Sequence, residues 1–494
     1  MGSASSGLKM RRFPEFPLRA RTSAGIGACR GAKGTDVAYN FIPCDRDQSF
    51  LMPPSLRDWL PPDDLVWFVI DAVAQMDLSA FRGKYRADGW GASAFSPEMM
   101  VTLLLYAYCT GQRSSRKIEK LCETDVAFRI ITGNKKPDHA TIARFRRRNL
   151  KELKGLFVEI LRLCAEAGLV KVGVVALDGT KVAGNAALAA NRTHEGLEKE
   201  VAKEAAKMLA EAESTDSEED RRHGSKRGDE MPEELRTQKS RIERLRECKE
   251  RLEREAAERA AEQQRKIDER AAKEAETGEK LRGRKPKEPD ATVEPEAKAN
   301  VTDPETRIMK TQKGYVQGIN AQAAATKEQI IVAAEVTQEA NDKRQMVPMM
   351  EKTAQNLEAA GVEETVGTAL TDAGYYSEEA VEATSAKGVE VLCATTKDHK
   401  QRKALRDAPP PRGRMPDDLS PMERMDRKLL TKRGRALYRL RSQTVEPVFG
   451  QIKGVRGIDR FLLRGLDGAS GEWKLACGTH NLLKLWRSGR ATWN

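Results

Sequence analysis

The stretch KVGVVALDGTKV (residues 171–182) is an apolar run followed directly by an acidic residue. Residues 174–177 are aliphatic with no polar alternation, which is typical of a strand that is buried on both faces of a sheet. Asp178-Gly179 then predicts the turn that leaves this strand. An Asp-Gly pair follows strands of every function, so the role of the acid depends on other residues.

A second acid occupies the same kind of position farther along the chain. The stretch ETVGTALTDAGYYS (residues 364–377) is an apolar run that stops at Asp372, with Gly374 close behind. Two acids at the ends of strands in one sheet can lie side by side, because strand termini at one edge are spatial neighbours. Hard divalent cations bind such carboxylates.

A third acid, Glu446, lies in the basic C-terminal stretch ALYRLRSQTVEPVFGQIKGVRG (residues 436–457). On a helix, Glu446 and Lys453 lie on one side, two turns apart and beside an apolar face. Pro447 lacks a backbone donor and disfavours helical geometry in the residue before it, so we expect a helix to start or to kink here. The predicted apolar face consists of Val445, Val448, Phe449, Ile452 and Val455.

Strand patterns return after residue 300. The stretches 314–326 and 328–337 predict a β-hairpin, and a helix from about Glu378 precedes the apolar strand 389–396. The order of elements predicts a mixed α/β sheet flanked by helices and interrupted by a long insertion.

Composition divides the chain into four predicted parts. Residues 1–40 form a disordered lead, and residues 41–168 form a compact helical domain. Residues 169–195 and 301–488 form the mixed α/β core. Residues 196–300 are rich in alanine and in opposite charges three and four apart, which predicts an exposed helix and a linker.

A cationic face follows the helical period in the stretch from Asp138 to Leu169, which we expect to be helical with Asp138 as its cap, the cationic face lying on a short helix. Arg144, Arg147 and Arg148 lie opposite the apolar side of this helix. Helix-turn-helix proteins present such a face to phosphates and base edges. A solvated helix face is an equally good interpretation, and both stay open here.

Charge and cysteine usage narrow the class of protein. The chain of 494 residues carries a net charge of +12, and the excess lies outside the charged insertion, which favours nucleic acid as a partner. The eight cysteines are scattered without a Cys-x-x-Cys pair, which predicts reduced thiols and no zinc site. No apolar run is long enough for a membrane span or a signal peptide, so we expect a cytoplasmic protein.

The sequence resembles the DDE transposases of bacterial insertion sequences, in the branch with an InsH-type N-terminal helical domain. The resemblance is carried by DRDQSFLMPPSLRDWLP (residues 45–61), DGTKV (178–182), TDPETRIMKTQKGYVQGINAQAA (302–324), TDAGYYS (371–377) and TVEPVFGQIKGVRGIDRFLLRG (444–465).

This resemblance implies an RNase H-like core in which Asp178, Asp372 and Glu446 bind two Mg²⁺ or Mn²⁺ ions. The family signature of Tyr, Arg, Glu and Lys corresponds to Tyr438, Arg441, Glu446 and Lys453, with one extra residue between the Arg and the Glu. Arg441 and Lys453 would hold phosphates near the metals.

The implied activity is binding of the terminal inverted repeats of double-stranded DNA, followed by strand nicking and strand transfer. The resemblance also implies a homodimer on paired ends and association with the nucleoid. Strand transfer requires no ATP, which agrees with the lack of a Gly-rich phosphate loop in the sequence.

Two other functions compete with this interpretation. The motif VVALDGT resembles the first motif of haloacid-dehalogenase phosphatases, but Ala176 stands where their nucleophilic aspartate would be. A non-catalytic DNA-binding or scaffold protein from a decayed element is the second alternative. Glu423, Asp426 and Glu472 compete with Glu446 as the third acid, and we expect the first two to pair with nearby arginines.

Overall fold

The computed structural model describes residues 55–85, 94–212, 238–311, 314–491 and 493, without residues 281–282, 284, 397–402 and 404–406. The predicted disordered lead lies outside the described residues. Within them, no helix combines the length and the apolar character that crossing a membrane requires.

The N-terminal part of the described chain is helical, as predicted. Ser96 caps the third helix by accepting a hydrogen bond from the backbone of Met99, and Pro97 occupies its first position. The helices are α1 (Leu65–Ala74), α2 (Ser79–Arg82), α3 (Pro97–Cys109), α4 (Ser115–Thr124), α5 (Val126–Thr132), α6 (His139–Arg148) and α7 (Leu150–Glu166).

The helical stretch from Asp138 is divided at Asn149 into α6 and α7. Asn149 donates a side-chain hydrogen bond of 2.9 Å back to the carbonyl of Phe145. Asparagine commonly competes with helical hydrogen bonding in this way. The cationic face therefore belongs to a short helix of its own.

A six-stranded mixed sheet forms the centre of the molecule. Strand β5 pairs antiparallel with β4, β6 and β1, and β1 continues the sheet through parallel pairing with β7, which pairs with β8. The predicted hairpin is β5 and β6. The strands are β1 (Val174–Ala183), β2 (Asn191–Thr193), β3 (Lys298–Asn300), β4 (Arg307–Thr311), β5 (Gly314–Thr326), β6 (Ile331–Thr337), β7 (Thr368–Thr371) and β8 (Glu390–Cys393); β2 and β3 pair separately.

Strand β1 does not end at Asp178, so the predicted turn at Asp178-Gly179 is wrong. Residues from Val175 to Ala183 pair with β5, and Asp178 lies opposite Ala323. The parallel neighbour β7 pairs with β1 only as far as Ala176. Asp178 is therefore held inside a strand, just beyond the point where one of its two neighbours ends.

Successive residues of β1 point to opposite faces of the sheet, and helices cover both faces. Ala176 is buried in a cluster with Leu370, Leu392 and Val445, the last of which belongs to α13. On the opposite face, the indole of Trp473 in α14 donates a hydrogen bond to the carbonyl of Gln322. The helices that follow β6 are α10 (Met346–Ala359), α11 (Glu378–Ser385), α12 (Pro421–Leu430), α13 (Lys432–Phe449), a π-helix (Gly450–Val455) and α14 (Gly465–Ser488).

The predicted insertion forms two packed helices at the end of a short β-ribbon. Helix α8 (His194–Ala212) follows β2, and helix α9 (Gln238–Thr277) has 40 residues, which makes it about 60 Å long. The ribbon of β2 and β3 closes the base of the insertion. The two helices and β3 share a small apolar cluster of their own, composed of Leu197, Leu245, Cys248, Leu252 and Ala299.

The observed architecture confirms the predicted fold class: a mixed sheet flanked by helices, an N-terminal helical region and a helical insertion after the first core strand. One hydrophobic cluster contains buried residues of both the N-terminal helices and the sheet. The predicted residue boundaries between the domains remain a proposal.

Candidate active site

Asp178 points from β1 toward α13, on the face that also carries Ala176. Its side chain is 20% exposed. Burial raises the pKa of Asp178 to about 6, although the nearby guanidinium of Arg441 acts to lower it. The charge of Asp372 raises the same pKa, so the two aspartates interact electrostatically.

Asp372 directly follows Thr371, the last residue of β7, as the sequence predicted. Its Oδ1 accepts a hydrogen bond of 2.8 Å from the backbone N–H of Gly374. A Cβ atom at position 374 would lie only 2.8 Å from that same oxygen, so the turn that holds Asp372 requires glycine. Parallel pairing of β1 with β7 therefore brings together the two aspartates that the sequence singled out.

Glu446 lies on α13, which begins 14 residues earlier at Lys432, so no helix starts at Glu446. The helix continues through Pro447, which lacks the N–H that would reach the carbonyl of Gln443. That carbonyl instead accepts a hydrogen bond of 3.0 Å from the side chain of Gln329. The side chain of Glu446 is 56% exposed at the edge of the site.

The predicted apolar face of this segment is correct except at its end. Val445, Val448 and Ile452 are fully buried, whereas Val455 is 80% exposed. The reason is the π-helix from Gly450 to Val455, because its wider turn moves Val455 away from the face that a regular α-helix would give.

Arg441 lies between two of the three acids. One guanidinium nitrogen is 3.2 Å from Oδ2 of Asp178, and the other is 3.6 Å from Oε1 of Glu446. Burial acts to lower the pKa of Arg441, but the surrounding acids, with Asp178 foremost, raise it overall. Arg441 therefore stays charged and partly neutralises the acidic site.

The two other residues of the signature also reach the ends of β1 and β7. The hydroxyl of Tyr438 donates a hydrogen bond of 3.1 Å to the carbonyl of Thr371, next to Asp372. The ammonium of Lys453 donates to the hydroxyl of Thr180 (2.9 Å) and to the carbonyl of Lys181 (2.8 Å). Lys453 thus lies on the same side of β1 as Asp178.

The three acids are not arranged as a ready-made metal-binding site. In the described part of the chain, no group of three or more His, Cys, Asp or Glu side chains is arranged to hold a metal ion. Arg441 supplies positive charge between Asp178 and Glu446 instead. The donors available at the site are carboxylate oxygens, which suit hard cations such as Mg²⁺ and Mn²⁺.

The competing acids have structural partners, and among the described residues the side-chain partners of Glu423 and Asp426 are hydroxyl groups rather than arginines. Glu423 forms a capping box with Ser420 at the start of α12. The carboxylate of Asp426 accepts a hydrogen bond of 2.5 Å from Thr395. Glu472 is fully buried and forms an ion pair of 2.9 Å with Arg113.

The cationic face of α6 is exposed. Arg144, Arg147 and Arg148 are all accessible to solvent. Arg146, which lies between them in the sequence, is buried and donates a hydrogen bond of 2.8 Å to the carbonyl of Arg113. The structure separates a structural arginine from three that are available to a partner.

One acid near the site was missed by the sequence reasoning. Asp342 lies in the loop between β6 and α10, and its carboxylate approaches the backbone at both Gly179 and Gly374. The sequence signal was weak, because Asp342 comes five residues after the end of its strand rather than directly after it.

Two family models match the chain. Residues 54–148 match a family model described as Transposase domain (DUF772). Residues 281–482 match a family model described as Transposase DDE domain, which includes Asp372 and Glu446, whereas Asp178 lies between the two matched ranges. Comparisons with curated proteins and with solved structures gave no match.

The mixed sheet, its acidic edge and the matched DDE domain define a protein with an RNase H-like catalytic core. Taken with the matched N-terminal domain, they identify the chain as a member of the DDE transposases of bacterial insertion sequences. It is a DNA transposase, and DNA is its partner.

Proposed function

We propose that this transposase binds the terminal inverted repeats of its own insertion sequence and carries out metal-dependent strand nicking and strand transfer at Asp178, Asp372 and Glu446. The observation that carries the proposal is the position of Arg441. Its guanidinium, 3.2 Å from Asp178 and 3.6 Å from Glu446, links an acid of the sheet to an acid of α13. Asp372 lies close enough to Asp178 to raise its pKa.

The donor set fits a hard divalent cation, since the three proposed ligands offer only carboxylate oxygens. Mg²⁺ or Mn²⁺, two per site in the proposal, would supply Lewis acidity and would stabilise the attacking and leaving oxygens of an in-line displacement. Asp178, Asp372 and Glu446 would hold the ions. Arg441 already balances part of the acidic charge and is placed to contact a DNA phosphate.

The proposed reaction consists of two phosphodiester displacements. Water attacks a phosphorus atom at the end of the element, the P–O bond to the 3′ oxygen breaks, and a free 3′-hydroxyl results. That hydroxyl then attacks a target phosphorus atom and displaces a target 3′ oxygen. Lys453, held on β1 through Thr180, is placed to position a phosphate during either displacement.

The exposed arginines of α6 supply the proposed contact with DNA outside the active site. Arg144, Arg147 and Arg148 present three cations on one short helix, as a phosphate-binding helix requires. We propose that two copies of the chain act together on paired ends and that the protein is found on the nucleoid.

The proposal is tested with purified protein and a duplex that carries the inverted repeats of the element. We expect nicking with Mg²⁺ or Mn²⁺, binding but little cleavage with Ca²⁺, and no cleavage in excess chelator. Full cleavage in excess chelator would refute the proposal that nicking requires a divalent cation.

The residue assignment is tested with Asp178→Asn, Asp372→Asn and Glu446→Gln. Each should abolish nicking while sparing specific DNA binding in a mobility-shift assay. Glu423→Gln is the matched control, because glutamine also satisfies the capping box and the variant should keep parental activity. A Glu446→Gln protein that nicks at the parental rate would remove Glu446 from the site.

A further inference from the structure

A fourth carboxylate, Asp342, lies beside the glycines that follow both proposed catalytic aspartates. A Cβ atom at Gly179, the residue after Asp178, would lie 2.6 Å from Oδ1 of Asp342. A Cβ atom at Gly374 would lie 3.5 Å from Oδ2 of Asp342 and 2.8 Å from Oδ1 of Asp372. The two oxygens of one side chain therefore face the two glycines of the acidic motifs.

Two side chains of β5 hold this carboxylate. Asn320 and Gln322 donate hydrogen bonds of 2.7 Å and 2.6 Å to Oδ1 of Asp342. Both residues are buried, as expected for strand positions on the face opposite Asp178. The ammonium of Lys181 lies 3.7 Å from the same oxygen.

The hydrogen bonds continue into the turn that carries Asp372. The hydroxyl of Tyr375 donates to Oε1 of Gln322, and the ring of Tyr375 is fully buried. Tyr375 lies three residues after Asp372 and next to Gly374. A continuous series of contacts thus joins Asp342, Gln322 and Tyr375 and ends beside Asp372.

A largely buried carboxylate at this position costs free energy, so stability alone does not explain its presence. The side chain of Asp342 is 19% exposed, and burial of a charge costs free energy unless partners compensate it. Two neighbouring acids, Asp178 and Asp372, already act on the charge of Lys181, so they compete with Asp342 for its only close cation among the described residues. A role in placing the neighbouring acids accounts for this cost.

We propose that Asp342 is a positioning residue for the metal-binding acids. It fixes the backbone at Gly179 and, through Gln322 and Tyr375, the turn at Asp372, so that both aspartates are ordered before a cation binds. The inference rests on the proposed function, because it assumes that Asp178 and Asp372 are metal ligands. Residues that orient metal ligands typically contribute 10- to 100-fold to metal affinity or activity.

The test compares Asp342→Ala with Asp342→Asn in the full-length protein. Alanine removes the acceptor for Asn320 and Gln322, whereas asparagine keeps one carbonyl oxygen for both. We expect Asp342→Ala to weaken Mn²⁺ binding, measured by the electron paramagnetic resonance signal of free Mn²⁺, by about 10- to 100-fold. The turnover number for nicking should fall by a similar factor with little change in KM for DNA, and Asp342→Asn should recover most of both.

Tyr375→Phe provides a second test of the positioning role. It leaves Asp342 in place and removes only the hydrogen bond from the tyrosine hydroxyl to Gln322. We expect a smaller loss in the same direction. The double variant Asp342→Ala/Tyr375→Phe should lose no more than Asp342→Ala alone, because both changes interrupt one series of contacts. If Asp342→Ala does not fold, a Tyr375→Phe protein with parental Mn²⁺ affinity and turnover overturns the proposal.

Asp303→Ala is the matched control for a lost carboxylate. Asp303 is buried and accepts backbone hydrogen bonds from Glu305 and Gly465, but it contacts neither motif glycine. It should lower thermal stability without weakening Mn²⁺ binding. Parental Mn²⁺ affinity in Asp342→Ala, or equal losses in Asp342→Ala and Asp342→Asn, would refute the positioning role. Nicking that survives Asp178→Asn would instead refute the proposed function beneath it.

Discussion

The guanidinium of Arg441 lies 3.2 Å from the carboxylate of Asp178, although 263 residues of chain separate them. The contact depends on the packing of α13 against β1, where Val445 is buried in one cluster with Ala176. A cation between acids stabilises them while no metal is bound, and the same cation is available to a phosphate when DNA is present.

Arg441→Gln should lower the turnover number for nicking by about 10²-fold, because a donor that faces developing charge is removed from the site. Affinity for the DNA ends should change far less. Arg439→Gln is the control, since Arg439 is an exposed cation on the same helix. Steady-state nicking rates and mobility shifts distinguish the two effects, and equal rates for the two variants would contradict a special role for Arg441.

Local sequence patterns could predict the positions of Asp178 and Asp372, because burial of a strand and the glycine that follows an acid are both local features. The end of β1 could not be predicted in that way. Its length depends on pairing with β5, more than a hundred residues away, which carries the strand through Gly179 to Ala183.

Asp342 could not be found from the sequence for a related reason. Its proposed role depends on the loop that places it beside Gly179 and Gly374. Proximity of this kind produces no periodic pattern of residues in the sequence. The exposure of Val455 likewise depends on a π-helix that the spacing of apolar residues did not indicate.

Charge reversal at Arg144, Arg147 and Arg148 should weaken DNA binding and flatten its dependence on salt. Each lost phosphate contact lowers the slope of log K against log salt concentration by about one. The fold should persist, because all three side chains are exposed. Reversal of the exposed Arg246, Arg254 and Arg265 on α9 changes net charge equally and serves as the control. Equal slopes of log K against log salt concentration for both triple variants would show that the cationic face of α6 is only a solvated surface.

Replacement of residues 196–296 by a short Gly-Ser linker should leave a cooperatively folding core. The strands β2 and β3 pair at the base of the insertion, so the two cut ends are already adjacent. The apolar cluster of the insertion is separate from the main core. Glu262 and Glu255 of α9 form ion pairs with Arg344 and Arg307 of the core, and the more exposed pair, Arg344–Glu262, contributes only about 0–1 kcal/mol.

We expect this shortened protein to bind Mn²⁺ as the parent does but to pair DNA ends poorly. Calorimetry checks the folding, and gel analysis of two-ended complexes checks the pairing. A broad unfolding transition without cooperativity would show that the insertion supports the core.

Because His480 is buried, we expect the stability of the fold to vary with pH, apart from any effect of pH on catalysis. The ring is 1% exposed on α14, and its Nε2 lies 2.9 Å from the carbonyl of Gln329, to which it donates. Burial, followed by the charge of Arg456, lowers the pKa of His480 to about 3, against about 6.5 in an unfolded chain. Below pH 6.5 the unfolded chain therefore binds a proton that the folded chain excludes.

The free energy of unfolding should consequently fall as the pH drops below 6.5, by up to about 1.4 kcal/mol per pH unit from this group. In His480→Gln the side-chain amide can still donate to Gln329, but it cannot titrate. Urea unfolding in chelator at pH 7 and pH 5 should show a loss that is about 2 kcal/mol larger in the parent than in the variant. Equal losses would mean that His480 accepts its proton in the folded protein, which its burial beside Arg456 opposes.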